Sequence, residues 1–199
     1  MIYTISDPSS TRIKILRSEF VCYLFPVDSV EQAREIISAH DKNYASATHN
    51  CYAYVIGPGR QAQYYSDAGE PGGTAGKPML NALMRAELTN VLAIVSRYYG
   101  GVKLGVRGLI EAYGEAVNTA VKEAKTQEFV ELVHLKISCD YSSMELIRHR
   151  TPEWKLRLGE SEYGVETVFQ ISLPQSNWKD FRQFLESLSA KNDLTYIEI

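Results

Sequence analysis

The chain has 199 residues, of which 45% are hydrophobic and 23% are charged, and its formal net charge is -3. This length suits one domain or two small ones, and the composition excludes a disordered, collagen-like or coiled-coil chain. The acidic balance argues against a protein whose whole surface binds nucleic acid, so any such surface must be a local basic patch.

Cys22, Cys51 and Cys139 are spread along the chain without a CxxC pair. This odd number and wide spacing predict neither a disulfide framework nor a zinc finger, and they favour a reducing, cytoplasmic compartment. No uninterrupted apolar segment follows the early charges, so we expect no targeting segment and no contact with a membrane. We also expect no metal and no cofactor.

The first half of the chain mixes short apolar runs, which predict strands, with apolar residues at helical spacing. Strands are predicted at 20–25, 51–56, 62–66 and 91–95, the last continuing to Tyr99. Helices are predicted over 30–40, from Pro78 to Met84 and over 109–121. Between these elements, residues 69–78 form a glycine-rich break.

The amino-acid composition changes at Thr126: from there on, glycine is rare and acidic residues outnumber basic ones. We therefore predict two domains, 1–125 and 126–199. In the second domain, strand, helix, strand, strand, helix and strand are predicted at 129–139, 143–150, 154–158, 165–173, 177–188 and 194–199. This βαββαβ order predicts a ferredoxin-like fold within an α+β protein.

Nine of the thirteen glycines lie between Gly69 and Gly114. They form two motifs, SDAGEPGGTAGKPML at 66–80 and RYYGGVKLGVRGLIEAYG at 97–114. Each motif precedes a predicted helix, where free backbone amides can bind a phosphate or carboxylate. A P-loop is excluded because Pro78 follows Lys77, and neither motif contains GxGxxG. The alternative is that these glycines serve only tight turns and close packing.

Charge favours an anion-binding surface for the cluster as a whole. Five basic residues lie between Lys77 and Arg107, against Glu87 as the single acidic one. Two tyrosines beside Arg97 would suit base stacking, although strand alternation sends one of the two into the core. The predicted anion-binding or nucleic-acid-binding residues are Gly72, Gly73, Thr74, Gly76, Lys77, Arg97, Tyr98, Tyr99, Gly100, Gly101, Lys103, Gly105 and Arg107.

A second set of residues offers catalytic side chains. His49 and Cys51 share one face of a predicted strand, and Asp67 and Glu70 bracket a turn. If the four converge, they predict an enzyme that acts on a phosphorylated or peptide-like small molecule. The competing interpretation is a packed strand row, with carboxylates that cap a helix or bind loop amides. His49 and Cys51 alone are too few ligands for zinc.

Read together, the two glycine motifs resemble those of the YigZ/IMPACT family, bacterial two-domain type. Ser18, Phe20 and the run Ala47, His49, Cys51, Ala53 and Tyr54 also match. The resemblance implies a first domain like the second domain of ribosomal protein S-five and a second domain like domain V of elongation factor G. It therefore points to ribosomes and RNA. Eukaryotic members restrain the general amino-acid-control kinase, but they carry a further N-terminal domain, so that partner is not transferred.

Three positions depart from the family pattern. Ala68 replaces the second of two paired aspartates, Arg107 replaces a glycine, and Glu111 replaces a basic residue. The missing carboxylate argues against a two-carboxylate centre. We therefore predict a non-catalytic, translation-associated regulator that binds RNA or a ribosome-associated protein. The enzyme is the alternative, and an acidic second domain that binds proteins is a third. The oligomeric state stays open.

Overall fold

The computed structural model describes residues 1–164, 167–190 and 194–199. The chain divides into two compact units, Met1–Phe129 and Val130–Ile199, and each mixes helices with antiparallel strands. The first unit extends past the predicted boundary at residue 125. The reason is that Thr126–Glu128 forms a short strand that pairs with Tyr3–Ile5.

The first unit is built on a five-stranded sheet. All the elements predicted for this half are present, and two strands before residue 18 were not predicted. The elements are β1 (Tyr3–Ile5), β2 (Ser9–Ile15), β3 (Ser18–Pro26), α1 (Val30–Asn43), β4 (His49–Ile56), β5 (Ala62–Ser66), α2 (Gly76–Arg85), β6 (Val91–Tyr98), α3 (Gly105–Glu123) and β7 (Thr126–Glu128). The sheet order is β2-β3-β6-β4-β5, with antiparallel neighbours throughout.

Helices cover both faces of this sheet, which is why its central strands are continuous apolar runs. Phe20, Cys22 and Leu24 of β3 are buried against α2 and α3. On the opposite face, Leu92 and Ile94 of β6 pack with α1. The two apolar clusters therefore follow from strand alternation, with one face of the sheet for each helical layer.

Helices α2 and α3 lie side by side and run in the same direction. A Cβ added at Gly114 would lie 3.9 Å from the Cβ of Pro78. Between the helices runs a groove of about 690 Å³, with Lys77 and Glu111 in its lining near the helix starts and Lys122 near their ends. Both helices therefore begin at one end of the sheet, where β5 and β6 finish and β3 and β4 start. We call this the loop end.

A polar cluster is buried beneath α1. The Nε2 atom of His40 lies 2.8 Å from the Oγ of Ser96, and that hydroxyl donates to the Oδ1 of Asn50 at 2.7 Å. Because the Ser96 proton is already used, Nε2 is the donor to Ser96 and carries the ring proton. The ring also stacks on Tyr44 with centroids 4.2 Å apart. His40 thus packs against uncharged side chains in this cluster.

Burial lowers the pKa of His40, against a smaller raising effect of Asp41. The unfolded chain therefore binds a proton first, and we expect the first unit to lose stability as the pH falls below about 6.5, with a slope of at most about 1.4 kcal/mol per pH unit. Urea unfolding between pH 7.5 and 5.5 should show this loss. It should disappear in His40→Gln and persist in His49→Gln; an unchanged slope in His40→Gln would contradict the assignment.

The second unit is a four-stranded antiparallel sheet in the order β11-β8-β10-β9. Its buried residues include Leu135, Ile137 and Phe169 from the strands and Phe181 and Leu185 from one helix. The elements are β8 (Leu132–Cys139), α4 (Tyr141–His149), α5 (Thr151–Trp154), β9 (Arg157–Tyr163), β10 (Thr167–Pro174), α6 (Gln175–Ser189) and β11 (Thr195–Glu198).

The predicted start of the strand at 154–158 was wrong. Residues 151–154 form the short helix α5, which Pro152 favours by occupying its first turn, and the strand begins only at Arg157. The start of the strand predicted at 165–173 lies at residues 165 and 166, outside the described residues. None of the helices in the described residues combines the length and the hydrophobicity that a membrane-spanning helix requires.

Candidate functional site

A buried ion pair joins the two glycine motifs at the loop end. Nη1 of Arg97, near the end of β6, donates to Oε1 of Glu70, in the loop after β5, at 2.6 Å. The hydroxyl of Tyr113 on α3 donates to the same oxygen at 2.8 Å, and Nη2 of Arg97 lies 3.4 Å from the Oγ of Ser18. Arg97 is only 5% exposed. Contrary to the prediction, its charge is neutralised inside the core and does not face an external anion.

Backbone amides of the first motif do bind an anion, but that anion is a carboxylate of the same loop. The carboxylate of Asp67 accepts hydrogen bonds from the amides of Gly73, Ala75 and Gly76 at 2.8, 3.0 and 2.8 Å. Partial burial opposes ionisation, yet these three amides lower the pKa of Asp67 below its usual value. Thr74 is buried, and its hydroxyl donates to the carbonyl of Pro71. Gly73, Thr74 and Gly76 are therefore corrected from anion-binding to loop-forming residues.

The four candidate catalytic residues do converge, but each one holds the loop in place. Cys51 is fully buried, and its thiol donates to the carbonyl of Asp67 at 3.0 Å. Burial raises the pKa of Cys51 to about 12, so the thiol is protonated at neutral pH and is a poor nucleophile. Nδ1 of His49 donates to the carbonyl of Ala68 at 2.9 Å. With Glu70 paired to Arg97, the cluster is structural.

No metal centre is formed by these residues. Across 1–164, 167–190 and 194–199, no group of three or more His, Cys, Asp or Glu side chains could hold a metal ion. Cys22, Cys51 and Cys139 are buried, and neither Cys22 nor Cys51 forms a disulfide with another described residue.

The exposed part of the loop end retains the predicted basic character. Lys77, Lys103 and Arg107 are exposed, and so is Tyr99, whereas Tyr98 is half-buried. The turn between β2 and β3 also reaches this end, because the Cα of Gly100 packs directly on the backbone of Arg17. Arg17 is exposed and was missed, since β2 itself was not predicted. We define the loop-end surface as Arg17, Lys77, Tyr99, Lys103 and Arg107.

Three of these basic side chains lack an ion-pair partner among the described residues. Arg107 donates through Nε to Glu111 at 2.9 Å, an exposed pair that contributes little to stability. Arg17, Lys77 and Lys103 form no ion pair with any other described residue. The first turn of α3 has no side-chain cap, so its helix dipole adds further positive potential here.

The glycines of the second motif shape this surface. Gly101 and Gly105 have φ angles of 84° and 73°, a left-handed backbone that other residues adopt at a cost. Gly100 is needed for its close contact with Arg17. Gly72 differs, since it is exposed and an added Cβ there would meet nothing within 4 Å.

Comparisons with known proteins agree with the motifs. The family description Impact N-terminal domain matches residues 16–121. IMPACT family member YvyE of Bacillus subtilis (strain 168) is 34% identical, over 98% of this chain and 93% of its own length. IMPACT family member YigZ of Escherichia coli (strain K12) is 34% identical, over 88% of this chain and 87% of its own.

The chain is also similar to a protein of known structure, described as the crystal structure of a hypothetical protein. The two sequences are 32% identical, the match covers 100% of this chain and 97% of the other, and the TM-score is 0.71. The relatives therefore match the chain over nearly their whole length, across both units. The family predicted from the two glycine motifs is confirmed: this chain belongs to the IMPACT family.

Proposed function

We propose that this IMPACT family member is a non-catalytic, translation-associated regulator that binds RNA through the loop-end surface of its first unit. The observation that carries the proposal is a set of three exposed basic side chains at the loop end, Arg17, Lys77 and Lys103, which have no ion-pair partner among the described residues. The exposed ring of Tyr99 belongs to the same surface. The link to translation comes from the family, whose resemblance implies association with ribosomes and RNA.

The chemistry of the surface suits a polyanion. Each basic side chain that neutralises an RNA phosphate releases a counterion, which favours binding at moderate salt. Tyr99 is 44% exposed and lies over the guanidinium of Arg97, with 5.4 Å between Cζ and the ring centroid. A ring held in this way can stack on a base with little loss of freedom. The Glu70–Arg97 pair therefore supports binding indirectly, because it fixes both loops beneath the surface.

Three of the four side chains that the enzyme alternative requires are engaged within the protein, and the fourth, His49, donates through Nδ1 to the carbonyl of Ala68. Cys51 stays protonated, the Asp67 carboxylate is bound by three amides, and Glu70 is paired with Arg97. None of the three offers a free nucleophile or base to a substrate.

Charge reversal on the loop-end surface tests the proposal. In filter binding with RNA, Lys103→Glu combined with Arg107→Glu should weaken binding by about tenfold or more. The salt slope should fall by about one for each RNA phosphate that the variant no longer neutralises. Lys136→Glu with Lys179→Glu is the matched control, because both residues are exposed and belong to the second unit. Unchanged affinity and salt slope in the first variant would remove the loop-end surface from RNA binding.

We also propose the finer fold assignments that the family resemblance implies. For the second unit, the antiparallel order β11-β8-β10-β9 places the fourth strand beside the first and the third beside the second. This order and the βαββαβ succession support a ferredoxin-like domain. For the first unit, the proposed likeness to the second domain of ribosomal protein S-five rests on the resemblance alone.

A further inference from the structure

Three tyrosine rings lie together on the α1 side of the first sheet. Tyr52 and Tyr54 belong to β4, and Tyr64 lies on β5, directly opposite Tyr54 in the register. The ring of Tyr64 is nearly parallel to both others, with centroids 6.1 Å from Tyr52 and 5.8 Å from Tyr54 and interplanar angles of 25° and 23°. We call these three residues the tyrosine stack.

The stack is open to solvent at the edge of the sheet. Helix α1 covers the centre of this face, where Tyr54 is buried with Ala33. It leaves β5 uncovered, because β5 is the edge strand, and Tyr64 is 52% exposed. A ring that is exposed yet oriented by two neighbours loses little conformational freedom when it binds a flat partner.

The stack continues into the loop-end surface. From Tyr64, β5 runs only two residues, or about 7 Å, to Ser66 and the first glycine motif. The backbone of Gly76 packs on Ser66, and the exposed Lys77 follows immediately. A strand of RNA with phosphates at Lys77 can therefore pass around the open edge at β5 and reach Tyr64. Tyr65, also exposed, lies along this path.

We propose that the tyrosine stack is a base-stacking platform for single-stranded RNA, with an unpaired base on the exposed ring of Tyr64. This inference rests on the proposed function and extends it, since it names single-stranded RNA as the ligand and adds a second contact. Bases within a duplex present their faces to each other, so only an unpaired base can stack on a protein ring. An RNA strand is favoured over a protein segment because the platform adjoins the uncompensated basic side chains of the loop-end surface.

We expect the stack to contribute through its rings and not through a phosphate contact, because a tyrosine side chain carries no positive charge at neutral pH. The contribution of Tyr64 should therefore not depend on salt, whereas that of the loop-end surface should. This difference separates the two contacts experimentally.

The test uses the full chain and a short fluorescein-labelled oligouridylate, with affinity measured by fluorescence anisotropy at several salt concentrations. Tyr64→Ala should weaken binding by about tenfold without changing the salt slope. Tyr64→Phe, which keeps the ring, should bind within about twofold of wild type. Tyr141→Ala is the matched control, because Tyr141 is 64% exposed on α4 of the other unit and should be neutral.

Unchanged affinity of Tyr64→Ala for the oligouridylate overturns the inference, and so does an equal loss for a duplex RNA. If Tyr64→Ala changes the oligomeric state in light scattering, the stack is a contact between copies of the chain and the inference is also overturned. On the wild-type chain, photocrosslinking of a 4-thiouridine oligonucleotide to Tyr64 or Tyr52 supports it without any substitution. If Lys103→Glu with Arg107→Glu binds RNA like wild type while Tyr64→Ala loses affinity, the result contradicts the loop-end surface and supports the stack. The two proposals can therefore fail separately.

Discussion

Replacement of Arg97 by methionine is expected to lower the free energy of unfolding of the first unit by about 3–5 kcal/mol. Methionine retains much of the apolar stem but leaves the Glu70 carboxylate buried without its cation. Glu70 is only 8% exposed, and its Oε1 atom accepts from both Arg97 and Tyr113. Glu70 lies in the first glycine motif, Arg97 at the end of β6 and Tyr113 on α3. The loss of the ion pair should therefore destabilise the packing of these three segments against each other.

The measurement can use the second unit as an internal reference. Both tryptophans, Trp154 and Trp178, lie in that unit, so their fluorescence reports its unfolding, whereas ten of the thirteen tyrosines lie in the first unit and dominate its signal. Arg182→Met is the matched control: Arg182 pairs with Glu186 at 3.0 Å on an exposed helix surface, and the loss of an exposed pair should change stability far less. Equal, small losses in the two variants would show that the Glu70–Arg97 pair is not important for stability.

A second substitution distinguishes a lost ion pair from lost packing. Glu70→Gln added to Arg97→Met removes the uncompensated charge and keeps an oxygen that can accept from Tyr113. The double variant should therefore recover part of the stability lost in Arg97→Met. Additive losses would assign the effect to packing against Phe20, whose ring centroid lies 5.5 Å from the Arg97 guanidinium carbon.

The regular elements could be predicted because their hydrophobic periodicity is local. The run VLAIV of β6 is buried on both faces, and α3 keeps an apolar side through Leu109, Tyr113 and Val117. Strand β2 could not be found in this way, because as an edge strand it alternates half-buried and exposed residues and carries Arg12 and Lys14. The strands β1 and β7 have three residues each, too few to show any period.

Local sequence could indicate only part of the candidate site. Lys103, Arg107 and Tyr99 are exposed, as a basic and aromatic surface requires, and their role in binding stays a prediction. The burial of Arg97 could not be predicted, because its partner Glu70 is 27 residues away and only the folded sheet joins them. A signal did exist for Asp67, since an aspartate shortly before a helix start commonly binds its free amides. The sequence contains no comparable signal for Arg17, because this residue reaches the loop end only through the pairing of β2 with β3.

Gly100→Ala is expected to destabilise the first unit by about 3 kcal/mol or more, at the upper end of overpacking effects. A Cβ at this position would lie 1.7 Å from the carbonyl oxygen and 2.1 Å from the carbonyl carbon of Arg17. Both are backbone atoms of the turn after β2. The turn is held by the pairing of Ile15 with Ser18, so it cannot move without disturbing the edge of the sheet.

Gly72→Ala provides the matched control in the first motif. Gly72 is exposed, does not have a positive φ, and an added Cβ would meet nothing within 4 Å, so its stability should change by less than about 0.5 kcal/mol. Thermal and urea unfolding of the two variants should therefore differ clearly. Because the same turn carries Arg17, Gly100→Ala should also weaken RNA binding at temperatures where the variant is folded. A stable Gly100→Ala with wild-type affinity would mean that the second glycine motif does not hold Arg17 against the loop-end surface.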